Sequence, residues 1–191
     1  GGASLYLDQG DGALQPLGTT GRTRAALGQA ATVLPPASPL LFDRQSAVEV
    51  DLAGTDLALI PASQRQLAMG ANRAMLGNEL LQFATAEPLS GTRWRLSGLW
   101  RGRGGTESAI AGHATGEPFV LLDGTGTLVD TAVLPGAQLG VLGLGDSAIV
   151  TSPVHLAGIG ARPLAPVHGR FDPLAGGGIE LSWVRRARGA W

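Results

Sequence analysis

Short apolar runs recur along this chain at strand length, and glycine or proline closes most of them. Phe119-Val120-Leu121-Leu122 is followed by Asp123-Gly124-Thr125-Gly126, and the runs 127–134, 137–144 and 147–154 are parted by Pro135-Gly136 and Gly145-Asp146. Such punctuation fixes or frees φ every few residues, which suits short strands joined by tight turns better than long helices. The 30 glycines, 12 prolines and a charged fraction of 15% point the same way. The expected class is mainly β: an antiparallel sandwich or barrel of short strands, with one short helix near 62–69. Ser63 is placed to cap that helix and Gly70 to end it.

Along the chain, 4–7 reads as a strand followed by the turn Asp8-Gln9-Gly10-Asp11-Gly12, and Leu14 and Leu17 open a second strand. Residues 18–30 read as a surface loop, and Thr32 to Leu34 as strand-like up to Pro35-Pro36. Ala47, Glu49 and Asp51 alternate with Val48, Val50 and Leu52, the mark of a half-buried strand. Leu57 to Ile60 is another short apolar run, and 108–113 has the length of one helical turn.

The stretch 78–107 is the most idiosyncratic. It reads as a strand from Glu79 to about Thr85, a turn bracketed by Pro88 and Gly91, and a second strand from Thr92 to Trp100. Strict alternation puts Trp94, Leu96, Gly98 and Trp100 on one face and Arg93, Arg95 and Ser97 on the other. An Arg/Gly-rich loop follows and ends at Glu107. Arginine and tryptophan are favoured at protein–protein interfaces. Arg93, Arg95, Trp100, Arg101, Arg103 and Glu107 therefore form the candidate interface patch, with the arginines pairing to acids such as Glu87 or Glu107.

Other chemistries find less support. Basic and aromatic residues interleave here as in nucleic-acid binders, but on opposite faces and in a chain of net charge −1, so no nucleic-acid partner is expected. With no cysteine, disulfides and thiolate metal sites are excluded. His113, His155 and His168 show no metal-ligand spacing, and each reads as a loop histidine bonded to solvent or backbone. Gly102-Arg103-Gly104-Gly105-Thr106 lacks the ending of a phosphate loop. Glu49 and Asp51 could serve as a glycosidase pair, yet outward polar alternation explains them more simply. No nucleophile elbow occurs. The chain is thus expected to have no catalytic residues, cofactor or metal, no signal peptide and no membrane span.

Several segments in order are similar to the C-terminal region of baseplate hub, or "megatron", proteins of gene transfer agents and siphophage-like prophages. They are Val48–Leu52, Gly70–Phe83, Trp94–Leu99, Arg101–Glu107, His113 with Gly116–Leu122, Arg162–His168 and Leu181–Arg186. The resemblance implies a non-enzymatic structural module at the tail tip of a phage-like particle, assembled in the bacterial cytoplasm. It also implies trimeric assembly with other tail and baseplate proteins, and contact with the host envelope. Residues 1–158 read as this β-rich module. Ile179-Glu180-Leu181-Ser182-Trp183 resembles an early strand of a fibronectin III-like sandwich with a buried tryptophan, a domain of roughly 100 residues. Within 159–191 it is incomplete: either the sandwich is cut short, or its strands pack on the preceding sheet. The alternative function is a carbohydrate-binding module for cell-envelope glycans, with Trp94, Trp100 and Trp183 as stacking platform.

Overall fold

A computed structural model describes residues 2–21, 24–122, 124, 127, 129, 132–155 and 163–186. Strands account for 45% of the chain and helix for 6%, and every strand pairing is antiparallel, so the fold is mainly β as expected. Its centre is a closed six-stranded barrel in the order β3-β4-β7-β6-β5-β8. These are β3 (Leu27–Ala30), β4 (Asp43–Leu52), β5 (Arg73–Leu76), β6 (Glu79–Ser90), β7 (Arg93–Trp100) and β8 (Pro118–Leu121). Closure leaves no unpaired edge around the ring, which lets strands of four residues persist.

A second sheet has the order β10-β9-β1-β2, joining β1 (Ala3–Asp8) and β2 (Gln15–Thr19) to β9 (Gln138–Gly143) and β10 (Val150–Pro153). The N-terminal strands therefore pair across the whole barrel segment. A separate hairpin is made by β11 (Val167–Pro173) and β12 (Ile179–Val184).

The barrel core follows from alternation. Val48, Val50 and Leu52 on β4 are buried, as their phase predicts, and meet Leu76, Leu81, Phe83, Leu96, Leu99 and Phe119. The helix α1 (Gln64–Ala68) begins at Ser63, whose hydroxyl accepts from the Gln66 N–H while the Gln66 side chain accepts from the Ser63 N–H, a complete capping box. Gln82 then holds the helix on the barrel, its amide donating to Leu67 O at 2.7 Å and Ala71 O at 2.6 Å.

Four readings are corrected. The segment 18–30 is not all loop: β2 runs to Thr19 and β3 occupies 27–30. Residues 32–34 are not strand. Strand β6 continues through Pro88, which lies opposite Trp94, and the turn is Gly91-Thr92. Proline is tolerated there because β6 pairs with β5 only at 79–82, so the Pro88 nitrogen faces no partner strand on that side. In the run 127–134 no described residue is in a strand, and 128, 130 and 131 lie outside the described residues, as does most of the turn at 123–126.

Gly28 shows why β3 escapes sequence patterning. It pairs with Leu52 on one side and Phe119 on the other, and an added Cβ would stand 2.1 Å from the Asp51 carbonyl oxygen. Gly28→Ala must therefore push β3 off β4, and overpacking of this kind costs about 1–3 kcal/mol. Urea unfolding followed by tryptophan fluorescence is expected to show the unfolding free energy fall by that amount, with a lower midpoint; an unchanged midpoint would refute the close approach.

Candidate functional site: a charged cluster at the barrel rim

Antiparallel pairing brings the starts of β4, β6 and β8 and the ends of β5 and β7 to one rim. Five ionisable residues converge there: Asp43, Glu79, Arg101, His113 and Glu117. Glu79 opens β6 in phase with Leu81 and Phe83, so its side chain points inward with theirs, and all three are buried.

Arg101 reaches the same place through a break in the β7 pattern. Gly98 has φ 63°, the left-handed region open to glycine. It resets the alternation, so Leu96 and Leu99 both face inward and Arg101 follows them. An added Cβ at Gly98 would meet the Ala84 Cβ at 3.1 Å and the Phe42 ring at 3.3 Å, so the position has little room as well. The single face expected for Trp94, Leu96, Gly98 and Trp100 breaks at Gly98: Trp94, opposite the buried Val50, stays with Leu96 and packs against the core, whereas Trp100 is turned outward and half-buried.

Arg101 heads the fully buried side chains by size. Its Nε and Nη2 donate to the two Glu79 carboxylate oxygens at 2.9 Å each, a bidentate fork. Its Nη1 donates to Pro35 O at 2.9 Å and lies 3.5 Å from Asp43 Oδ2. The Gly102 N–H donates to Glu79 Oε1 at 2.6 Å. His113 completes the group, with Nε2 2.7 Å from Glu79 Oε2 and Nδ1 2.7 Å from Glu117 Oε2. Both contacts are hydrogen bonds when each ring nitrogen carries a proton, or when one carboxyl supplies it.

Asp43 caps the start of β4, its Oδ1 accepting from the Gln45 and Ser46 N–H groups. Its Oδ2 accepts no hydrogen bond and has only the charge of Arg101 nearby. Burial pushes its carboxyl up, but the Ser46 and Gln45 hydrogen bonds and the Arg101 charge outweigh this and hold it below the usual carboxylate range.

The cluster links four segments distant in sequence, and the side chains of Glu79, Arg101, His113 and Asp43 are 0, 0, 2 and 5% exposed, with Glu117 at its outer end. In a low-dielectric rim such groups fix which strand ends meet, since any other pairing leaves a buried charge uncompensated.

The expected patch is thereby divided. Arg101 is interior, bound to Glu79. Glu107 pairs with Arg186, beyond β12, instead of with a β7 arginine. Arg93 forms a bidentate pair with Asp51 (3.0 and 2.8 Å), and Arg95 pairs with Glu49 at 2.9 Å, although Glu87 is its other cross-strand neighbour. Arg103 stays exposed, its guanidinium 5.0 Å from the centre of the Trp100 ring. His113, expected as a solvent- or backbone-bonded loop residue, instead bridges two carboxylates. One signal pointed to the cluster: Glu79 shares the phase of an apolar strand face, and an acid there needs a buried partner.

The outer ladder gives a pH prediction. The Arg93 hydrogen bonds hold the Asp51 carboxyl below its ordinary 3.8, against a smaller upward push from burial. A depressed carboxyl stabilises the fold above its unfolded value, and that contribution is lost as pH falls through the folded one. Stability is expected to decline as pH drops below about 4, and Asp51→Asn to flatten that decline. Urea midpoints across the acid range check it; an equal slope in the variant would refute it.

The sequence profile of the family described as Rcc01698-like, C-terminal, matches residues 25–120. The match covers half of the 191 residues. This chain belongs to that family. The matched segment spans the barrel almost strand for strand and contains all five rim residues, so ring and charged cluster lie together in the Rcc01698-like segment. No curated protein matches the chain. Among the described residues no group of three or more histidine, aspartate or glutamate side chains could hold a metal ion, and no helix is long and apolar enough to cross a membrane.

Proposed function

We propose that this chain is a non-enzymatic assembly module of a phage-like tail-tip, or baseplate hub, protein, working through contacts with other tail proteins. The observation that carries the reading is the hairpin β11–β12. Phe171 lies opposite Leu181 and Pro173 opposite Ile179, so these four share one face, joined by Trp183 through alternation. Arg170, Asp172, Glu180 and Ser182 occupy the other. The whole apolar face is exposed, Trp183 at 60% and Phe171 at 73%. A lone two-stranded hairpin is marginal in water, and an apolar face of this kind is characteristic of surfaces covered in an assembly. The rim cluster supports a scaffolding role, since Glu79, Arg101, His113 and Asp43 are buried and turned toward one another. The ordered resemblance to baseplate hub proteins gives the assembly its kind.

The test is purification of tail particles from a strain carrying the affinity-tagged protein. Co-purification with tail proteins is expected; its absence would sink the reading.

A second reading, binding of envelope glycans, gains from one observation. Trp183, where a buried tryptophan was expected, borders an open groove of about 600 Å³ with His168, Arg170 and Ser182. A glycan array without hits for the chain, with Trp183→Ala as control, would remove it.

A further inference from the structure

We infer that the ledge formed by Phe42, Arg44, Trp100 and Arg103 is a docking surface for an acidic, apolar-containing segment of a partner protein. This rests on the assembly reading and names the surface and the chemistry of what it binds. The Phe42 and Trp100 rings meet edge to face, with centroids 6.2 Å apart and planes at 89°. Arg44 lies over Phe42 at 5.7 Å and Arg103 over Trp100 at 5.0 Å. The four side chains thus form one continuous row of contacts, with a cation at each end. Both guanidiniums lie within cation–π range of a ring, an attraction that leaves N–H groups available to an incoming carboxylate.

Charge selects the partner. Arg93, Arg95 and Arg101 are each matched by an acid, whereas among the described residues neither Arg44 nor Arg103 has an ion-pair partner. Leu40 and Leu41, just before Phe42, are two-thirds exposed. An open groove of about 350 Å³ runs beside them, walled by Pro36, Leu41, Phe42 and Arg44. Asp43 also lines it, but its carboxylate is turned to Arg101 and backbone N–H groups, so it does not cancel the two cations. A polyphosphate would satisfy the arginines and leave the leucines wet. A peptide with carboxylates and large apolar side chains matches both.

Fluorescence anisotropy tests this with a labelled peptide alternating glutamate with leucine and phenylalanine, its glutamine counterpart, and heparin and oligo-dT as competitors. The glutamate peptide is expected to bind the chain, with affinity falling at least about tenfold for Arg44→Glu/Arg103→Glu. Arg24→Glu, at an exposed pair with Asp56 away from the ledge, serves as control and should change binding little. The idea is overturned by equal binding to the charge-reversed chain, equal binding of the glutamine peptide, tighter binding of a polyanion, or no binding. All three substituted positions are exposed, and an unchanged thermal midpoint checks folding. Failure of the ledge remains separable from failure of the assembly reading. If the charge-reversed full-length protein enters tail particles as well as wild type, the ledge is wrong and the assembly stands; if wild type never enters them, the assembly reading itself falls.

Discussion

Replacing Arg101 by methionine is expected to cost about 3–5 kcal/mol, because it strands the Glu79 carboxylate inside the barrel without its cation. Glu79 would keep the Gly102 N–H and His113, but lose both arms of the guanidinium fork. Pro35 O and Asp43 Oδ2 would lose their neighbour as well. Arg101→Lys should recover only part, since an ammonium cannot donate along two parallel directions. Glu79→Gln placed on Arg101→Met should return part of the loss, because the uncompensated charge is then gone. Urea unfolding of wild type, Arg101→Met, Glu79→Gln and the double variant gives the cycle directly. A loss below about 1 kcal/mol for Arg101→Met would mean that the rim is wetter than its burial indicates.

Phe83→Ala is expected to be as damaging, for a different reason. Phe83 stands opposite Leu99 on β6 and is fully buried in the middle of the barrel core. The ring belongs to a core cluster drawn from all six strands of the barrel, and a closed ring cannot collapse inward to fill the space it leaves. Lost transfer energy and residual cavity together amount to about 3–5 kcal/mol, a large share of the stability of a typical domain. Phe83→Leu should cost markedly less. Equilibrium unfolding with an unchanged denaturant slope is the measurement, and equal losses for Ala and Leu would argue against a close-packed core at this point.

The two substitutions differ in how legible their sites are. Phe83 belongs to a run whose alternation alone points it inward. Arg101 follows a tryptophan in an Arg/Gly-rich stretch, and every local signal puts it outside with Arg93, Arg95 and Arg103. The same pattern that placed Glu49 and Asp51 correctly on the outer face, where they meet Arg95 and Arg93, misplaces Arg101 by one backbone angle at Gly98. The charged cluster is harder still to read, since its bonds span 22 residues from Glu79 to Arg101 and 34 from Glu79 to His113.

The sequence by itself determined the β class, the inward phase of Val48, Val50 and Leu52, and the helix with its Ser63 cap. Each depends on residues a few positions apart, where spacing and steric preference act directly. Only the tertiary structure decided that the strands close into a ring, that β1 pairs with β9 across the whole barrel segment, and that Gly28 lies against the Asp51 carbonyl. It also decided that Arg101 and His113 are interior while Trp183 is exposed. These outcomes turn on which distant strand ends meet, and a buried charge or a close backbone approach exists only after they have met.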